Sequence, residues 1–165
     1  MNQTTSLGKL REGLSTLTRR LGPLGPTLAR VTVGLVFLQT GWGKLHSLPD
    51  VTEFFASLGI PAPGLNAGVA ACTEFFGGIL VLLGLATRLA VLPMAFTMVI
   101  AIITAKRGDV HGLTDLVGLE EWSYLVIFLW LAVAGAGPLS LDHLIGPRID
   151  QWFGKKSRPP ETVAA

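Results

Sequence analysis

Cysteine, histidine and charge are scarce in this sequence. The one cysteine in 165 residues, Cys72, excludes an intrachain disulfide and any cysteine-based metal cluster, and it is expected to serve as a small buried hydrophobe. The three histidines, His46, His111 and His143, are far apart in the chain, and none has a second ligand at metal or haem spacing. No glycine-rich phosphate loop and no haem-attachment run occurs, so no cofactor motif is evident and no metal site is expected. Charged residues make up 15% of the chain and hydrophobic residues 50%, whereas ordinary soluble domains carry roughly 25% charge. With a mean hydropathy of +0.55, the composition describes an integral membrane protein whose first partner is the lipid bilayer. The net charge of +2 comes from basic residues at the ends of apolar segments, which excludes nucleic acid as a partner. The first 25 residues are polar and basic without a continuous apolar core, so no cleavable signal is expected.

What the chain has is apolar length. Leu65 to Thr87 is a run of 23 residues, and a crossing helix needs about 20. Its one ionisable carboxyl, Glu74, would lie far from either surface. At that depth an unpaired carboxylate costs about 3 kcal/mol or more, so Glu74 is either protonated or partnered from another helix. Ala67, Ala70, Glu74, Gly77, Val81, Gly84 and Arg88 follow at steps of three and four and share a face whose small residues admit a close neighbour. The favoured reading is a polar functional site, since intramembrane ionisable groups are functional by default; the plainer alternative is a packing face with a neutralised glutamate.

Taken in order, residues 1 to 25 place Leu7, Leu10, Leu14, Leu17 and Leu21 at helical spacing among Lys9, Arg11, Arg19 and Arg20, which predicts an amphipathic helix on a cytoplasmic membrane surface. A transmembrane domain follows over residues 26 to 142, with spans at about 26–45, 65–87, 89–105 and 122–136. Between the first two, Val51 to Leu58 predicts a short half-buried helix bracketed by prolines. Residues 143 to 165 read as a cytoplasmic surface segment with Ile149, Trp152 and Phe153 at helical spacing, then a disordered tail. The predicted fold is an all-α integral membrane protein: a four-helix transmembrane bundle with an N-terminal amphipathic surface helix.

Orientation follows from the cations. With both termini on one side, that side holds Lys9, Arg11, Arg19, Arg20, Arg88, Arg148, Lys155, Lys156 and Arg158, while the other holds Lys44, Lys106 and Arg107. Nine against three places both termini in the cytoplasm. In the first span Arg30, Gly34, Phe37, Gly41 and Lys44 share a face, so this face is expected to meet protein. Arg30, Gln39, Thr40, Lys44 and Glu74 are the candidate intramembrane polar site, with Glu74 placed about two turns beneath Lys44. His46, Lys106, Arg107, His111 and Glu121 are the candidate outer mouth. An apolar pocket with a few convergent polar groups suits a small amphipathic molecule: a quinone fits, and so would a lipid headgroup or a hydrophobic aromatic.

Several stretches resemble the DoxX family of small four-span bacterial membrane proteins. They are Arg30 with Gly34 to Leu45 ending GWGKL, LGIP at Leu58 to Pro61, Glu74 with GGILVLLGLATR through Arg88, and GAGPLSLD at Gly135 to Asp142. The resemblance covers most of residues 26 to 142. It implies a four-helix transmembrane bundle and a link to redox chemistry, since relatives include the membrane subunit of thiosulfate:quinone oxidoreductase and proteins of thiol and oxidative-stress systems. The expected function is therefore a membrane subunit of a redox complex that binds quinone near Glu74. Its partner would be a soluble redox protein, a second membrane subunit or another copy of the chain. No complete catalytic motif stands in the chain itself. The alternatives are a scaffold recruiting a soluble partner through residues 1 to 22, and a carrier for small hydrophobic solutes.

Overall fold

The computed structural model describes residues 12, 15, 17, 18 and 21–145. Most of the expected surface helix, including Leu7, Leu10 and Leu14, lies outside them, as do Ile149, Trp152, Phe153 and the tail. Among the described residues, helices with defined bounds are, in order, α1 (Leu24–His46), α2 (Leu48–Ser57), α3 (Pro63–Leu83), α4 (Thr87–Ile103), α5 (Leu113–Gly118) and α6 (Glu120–Ala134). The described residues contain no strand. Among their helices only α3 is both long and apolar enough to cross a membrane; α4 is apolar but 17 residues long.

Local chemistry sets the boundaries. Pro63 opens the first turn of α3, where a missing N–H costs nothing. Gly84, at φ +67°, closes it: the Leu85 N–H bonds to the Leu80 carbonyl and the Gly84 N–H to that of Val81. The helix therefore stops four residues before Thr87, the end expected from hydropathy. Ala86, at φ 48°, completes the reversal into α4, which runs on through Pro93. Lys44 and His46 sit in the last turn of α1, and Glu120 and Glu121 in the first turn of α6, each sign suited to the helix dipole.

Packing begins with α1 against α3. Cβ atoms added to Gly34, Gly41 and Gly78 would strike Leu82, Phe75 and Leu38 respectively, so these backbones meet with no side chain between them. The pairs 34–82, 38–78 and 41–75 each add to 116, which defines an antiparallel register. By that register the end of α1 at His46 is level with position 70. The first seven residues of α3, about 10 Å, thus overhang α1, and α2 packs alongside α3, with Thr52 beside Gly64.

The second pair is α4 with α6. It joins the first where Met94 packs on Gly77 and where the Phe37 ring meets Tyr124 and Phe128 edge-on at 5.2 and 5.0 Å. Val33, Val81, Val91, Met94, Phe128 and Leu131 are fully buried between the pairs. Large apolar side chains are otherwise turned outward on all four long helices: Leu35 and Trp42 on α1, Val69 and Phe76 on α3, Leu92 and Phe96 on α4, Leu129 and Val133 on α6. Such a wide exposed apolar surface is stable against hydrocarbon and not against water. Cys72 belongs to this outer surface and is exposed, contrary to expectation. Two residues before Glu74, it stands about 200° round the helix from the packed face.

Candidate functional site

Each of the two helix pairs contributes to a polar centre. The first joins α1 to α3. Lys44 Nζ donates to Glu74 Oε1 at 2.5 Å. Glu74 is 3% exposed, and its second oxygen, Oε2, is buried without a hydrogen-bond partner. The Lys44 side chain is 34% exposed, so the pair is dry on the carboxylate side and open on the ammonium side. Hydropathy alone put Glu74 about two turns beneath Lys44, because it took α1 and α3 to end level. The overhang of α3 removes most of that gap. In the 116 register Glu74 is level with Trp42, and Lys44 stands two residues, about 3 Å, further along.

The other expected members do not join this pair. Gln39 is exposed, nine residues from buried Arg30 and hence about 180° away on the helix. Thr40 is also exposed, and its hydroxyl donates to the Phe37 carbonyl of its own helix. The His46 ring lies 4.1 Å from that of Trp42, with Nδ1 hydrogen-bonded to the Trp42 carbonyl. Lys106 and Glu121 do come together, at 3.8 Å, tying the end of α4 to the start of α6. Arg107 is exposed, and His111 pairs with Asp115 in its own turn at 4.0 Å. Of the residues expected at the outer mouth, Lys106 and Glu121 are thus the two that pair with each other. Among the described residues no three His, Cys, Asp or Glu side chains gather as metal ligands would.

The second centre lies at the opposite end, where residues 135 to 143 fold back over the α3–α4 turn. Arg30 is 3% exposed; its Nη2 donates to the Leu139 carbonyl at 2.5 Å, and its Nε and Nη1 are buried without partners. The Arg30 face does meet protein, but the partner of its guanidinium is a loop carbonyl and not the Lys44–Glu74 pair. Asp142 accepts from the backbone N–H groups of Ala86 at 2.6 Å and Thr87 at 3.1 Å, while its own N–H donates to the Gly84 carbonyl at 2.9 Å. A distant carboxylate therefore caps α4. Ser140, also buried, donates to the Gly137 carbonyl at 2.6 Å. Hydropathy passes over Ser140 and Asp142; the signal available was a cap-type aspartate just after a glycine-broken helix end. Asp142→Ala strands two N–H groups and is expected to cost about 1–2 kcal/mol, read as a lower thermal midpoint in detergent, with Asp142→Asn milder.

The sequence profile of the DoxX family matches residues 25–107, which include both Arg30 and the Lys44–Glu74 pair. The chain is 35% identical over 124 residues to "Putative oxidoreductase CatD" of Bacillus subtilis (strain 168), covering 74% of this chain and 87% of that protein. It is 38% identical over 123 residues to "Inner membrane protein YphA" of Escherichia coli (strain K12), covering 70% and 86%. To "Inner membrane protein YqjF" of the same organism it is 28% identical over 131 residues, covering 79% and 98%. No solved structure matches the chain significantly.

Proposed function

The chain belongs to the DoxX family of membrane proteins, and on that premise we propose that it is the membrane component of a bacterial redox system with a quinone-type site at Lys44 and Glu74. In this reading α1, α3, α4 and α6 cross the inner membrane as a four-helix bundle. Both termini face the cytoplasm, with residues 1–25 and 143–165 at its surface. The nine-to-three distribution of cations supports that orientation. The oxidoreductase name carried by the Bacillus relative supports the redox link.

The observation that carries the proposal is the half-used carboxylate. Glu74 Oε1 is occupied by Lys44, and Oε2 is buried with nothing to accept from. A charged acceptor left bare in that position costs about 1–3 kcal/mol or more, and a ligand hydroxyl placed there would recover it. Lys44 Nζ has three donors, of which one is used on Glu74, and its partly open position leaves another for a carbonyl oxygen. One acceptor and one donor side by side suit a group that is a carbonyl when oxidised and a hydroxyl when reduced. Reduction of a quinone takes two electrons and two protons. Glu74 and Lys44 would hold and pass one proton at that oxygen, the second would reach the other quinone oxygen from solvent, and the electrons would come from the redox group of a partner protein.

The test is a titration of the purified protein in lipid nanodiscs with a short-chain quinone. Saturable binding is expected, weakened at least roughly tenfold by Glu74→Gln and unchanged by Cys72→Ser on the far face of α3. Absence of saturable binding, or equal binding by Glu74→Gln, would remove the reading.

A further inference from the structure

We infer that the pocket at the far end of the bundle, between the start of α4 and residues 134 to 143, is a seat for a phosphate group. It is an open cavity of about 470 Å³, within the roughly 300–1,000 Å³ usual for small-molecule sites. Its lining mixes apolar Leu89, Ala134 and Ala136 with polar Arg88, Ser140 and His143. The Arg88 guanidinium lies across Gly135, whose positive φ (+80°) and missing side chain leave it room, and it makes one long bond, Nη2 to the Val133 carbonyl at 3.3 Å. Its remaining donors are free to meet an anion in a fork.

A second cation stands behind this lining. Arg30 Nη1 abuts Gly84, as does the Cβ of Ser140, so the buried guanidinium lies next to a residue that lines the pocket. Arg30 has two unpartnered donor atoms and no carboxylate within ion-pairing distance among the described residues. Asp142 also lines the pocket, with both its oxygens engaged by the Ala86 and Thr87 N–H groups at the positive end of α4. Two arginines against one capped aspartate leave the cavity electropositive, with apolar lining residues fit for the chain attached to a phosphodiester. The shared chemistry is phosphate, whether from an anionic lipid headgroup or free in solution.

Two arms separate those sources. In the first, protein from micelles of mixed phosphatidylglycerol and phosphatidylcholine is delipidated stepwise and weighed by native mass spectrometry. In the second, inorganic phosphate is titrated against protein held in phosphatidylcholine nanodiscs, and binding is followed by calorimetry. Wild type is expected to retain phosphatidylglycerol selectively. That retention should fall at least roughly tenfold in Arg88→Gln, and equally in Ala134→Trp, which fills the cavity without altering charge. Selective retention without phosphate binding assigns the seat to a lipid headgroup, and saturable phosphate binding that both variants abolish assigns it to free phosphate as well. No selectivity in either arm, or selectivity that Ala134→Trp leaves intact, would overturn the inference. Arg88 and Ala134 are both exposed, and Ala134→Trp leaves the Arg88 guanidinium in place.

Discussion

Replacing Gly41 by alanine is expected to pry α1 from α3 and to lower stability by about 3 kcal/mol or more, at the upper end of what overpacking costs. The added methyl would overlap the Phe75 backbone nitrogen and lie 2.9 Å from the Glu74 carbonyl carbon. Neither is a flexible tip that can swing aside. The neighbouring glycine provides the contrast: a Cβ at Gly43 meets nothing within 4 Å. Gly43→Ala, two residues along the same helix, should therefore be neutral or stabilise by up to about 1 kcal/mol through helix propensity alone. Thermal unfolding of both variants in one detergent decides the matter, and changes of the same sign would refute the α1–α3 register on which the Lys44–Glu74 contact depends.

Losing Lys44 should be the second large effect. Lys44→Met leaves a carboxylate that is 3% exposed with no cation, and breaking a fully buried pair in this way costs about 3–5 kcal/mol. The 34% exposure of the Lys44 side chain admits screening, so about 1–3 kcal/mol is expected here. Adding Glu74→Leu should restore most of the loss, because an apolar pair of similar volume carries no charge to desolvate. A double-mutant cycle on unfolding in detergent measures the coupling. A coupling near zero would mean that the two side chains do not meet.

Much of this architecture was legible in the residues. The steps of three and four that put Glu74 with Ala67, Gly77 and Val81 on one face of α3 are the steps by which those residues are buried. The same holds for Arg30, Gly34, Phe37 and Gly41 on α1. Helical periodicity reports which residues share a face because burial acts on each helix separately. How far one helix slides along another is a different matter, set by backbone contacts at Gly34, Gly41 and Gly78 that no single-helix pattern contains. Single-helix patterns therefore overstate the distance from Lys44 to Glu74, and depth alone groups Gln39 with Glu74 although it lies on the opposite side of α1. The second centre was the least legible. Asp142 caps a helix that begins 55 residues earlier, at Thr87, and only the folded chain brings the two together.

The central claim is that Glu74 sits in the bundle with one oxygen held by Lys44 and the other free for a ligand. Infrared difference spectra of protein labelled with ¹³C-carboxyl glutamate, recorded with and without a saturating short-chain quinone, test it directly. A glutamate band that shifts on binding and is missing from the difference spectrum of Glu74→Gln is the predicted result. Spectra in which no glutamate responds to the quinone, or in which the response persists in Glu74→Gln, would contradict it.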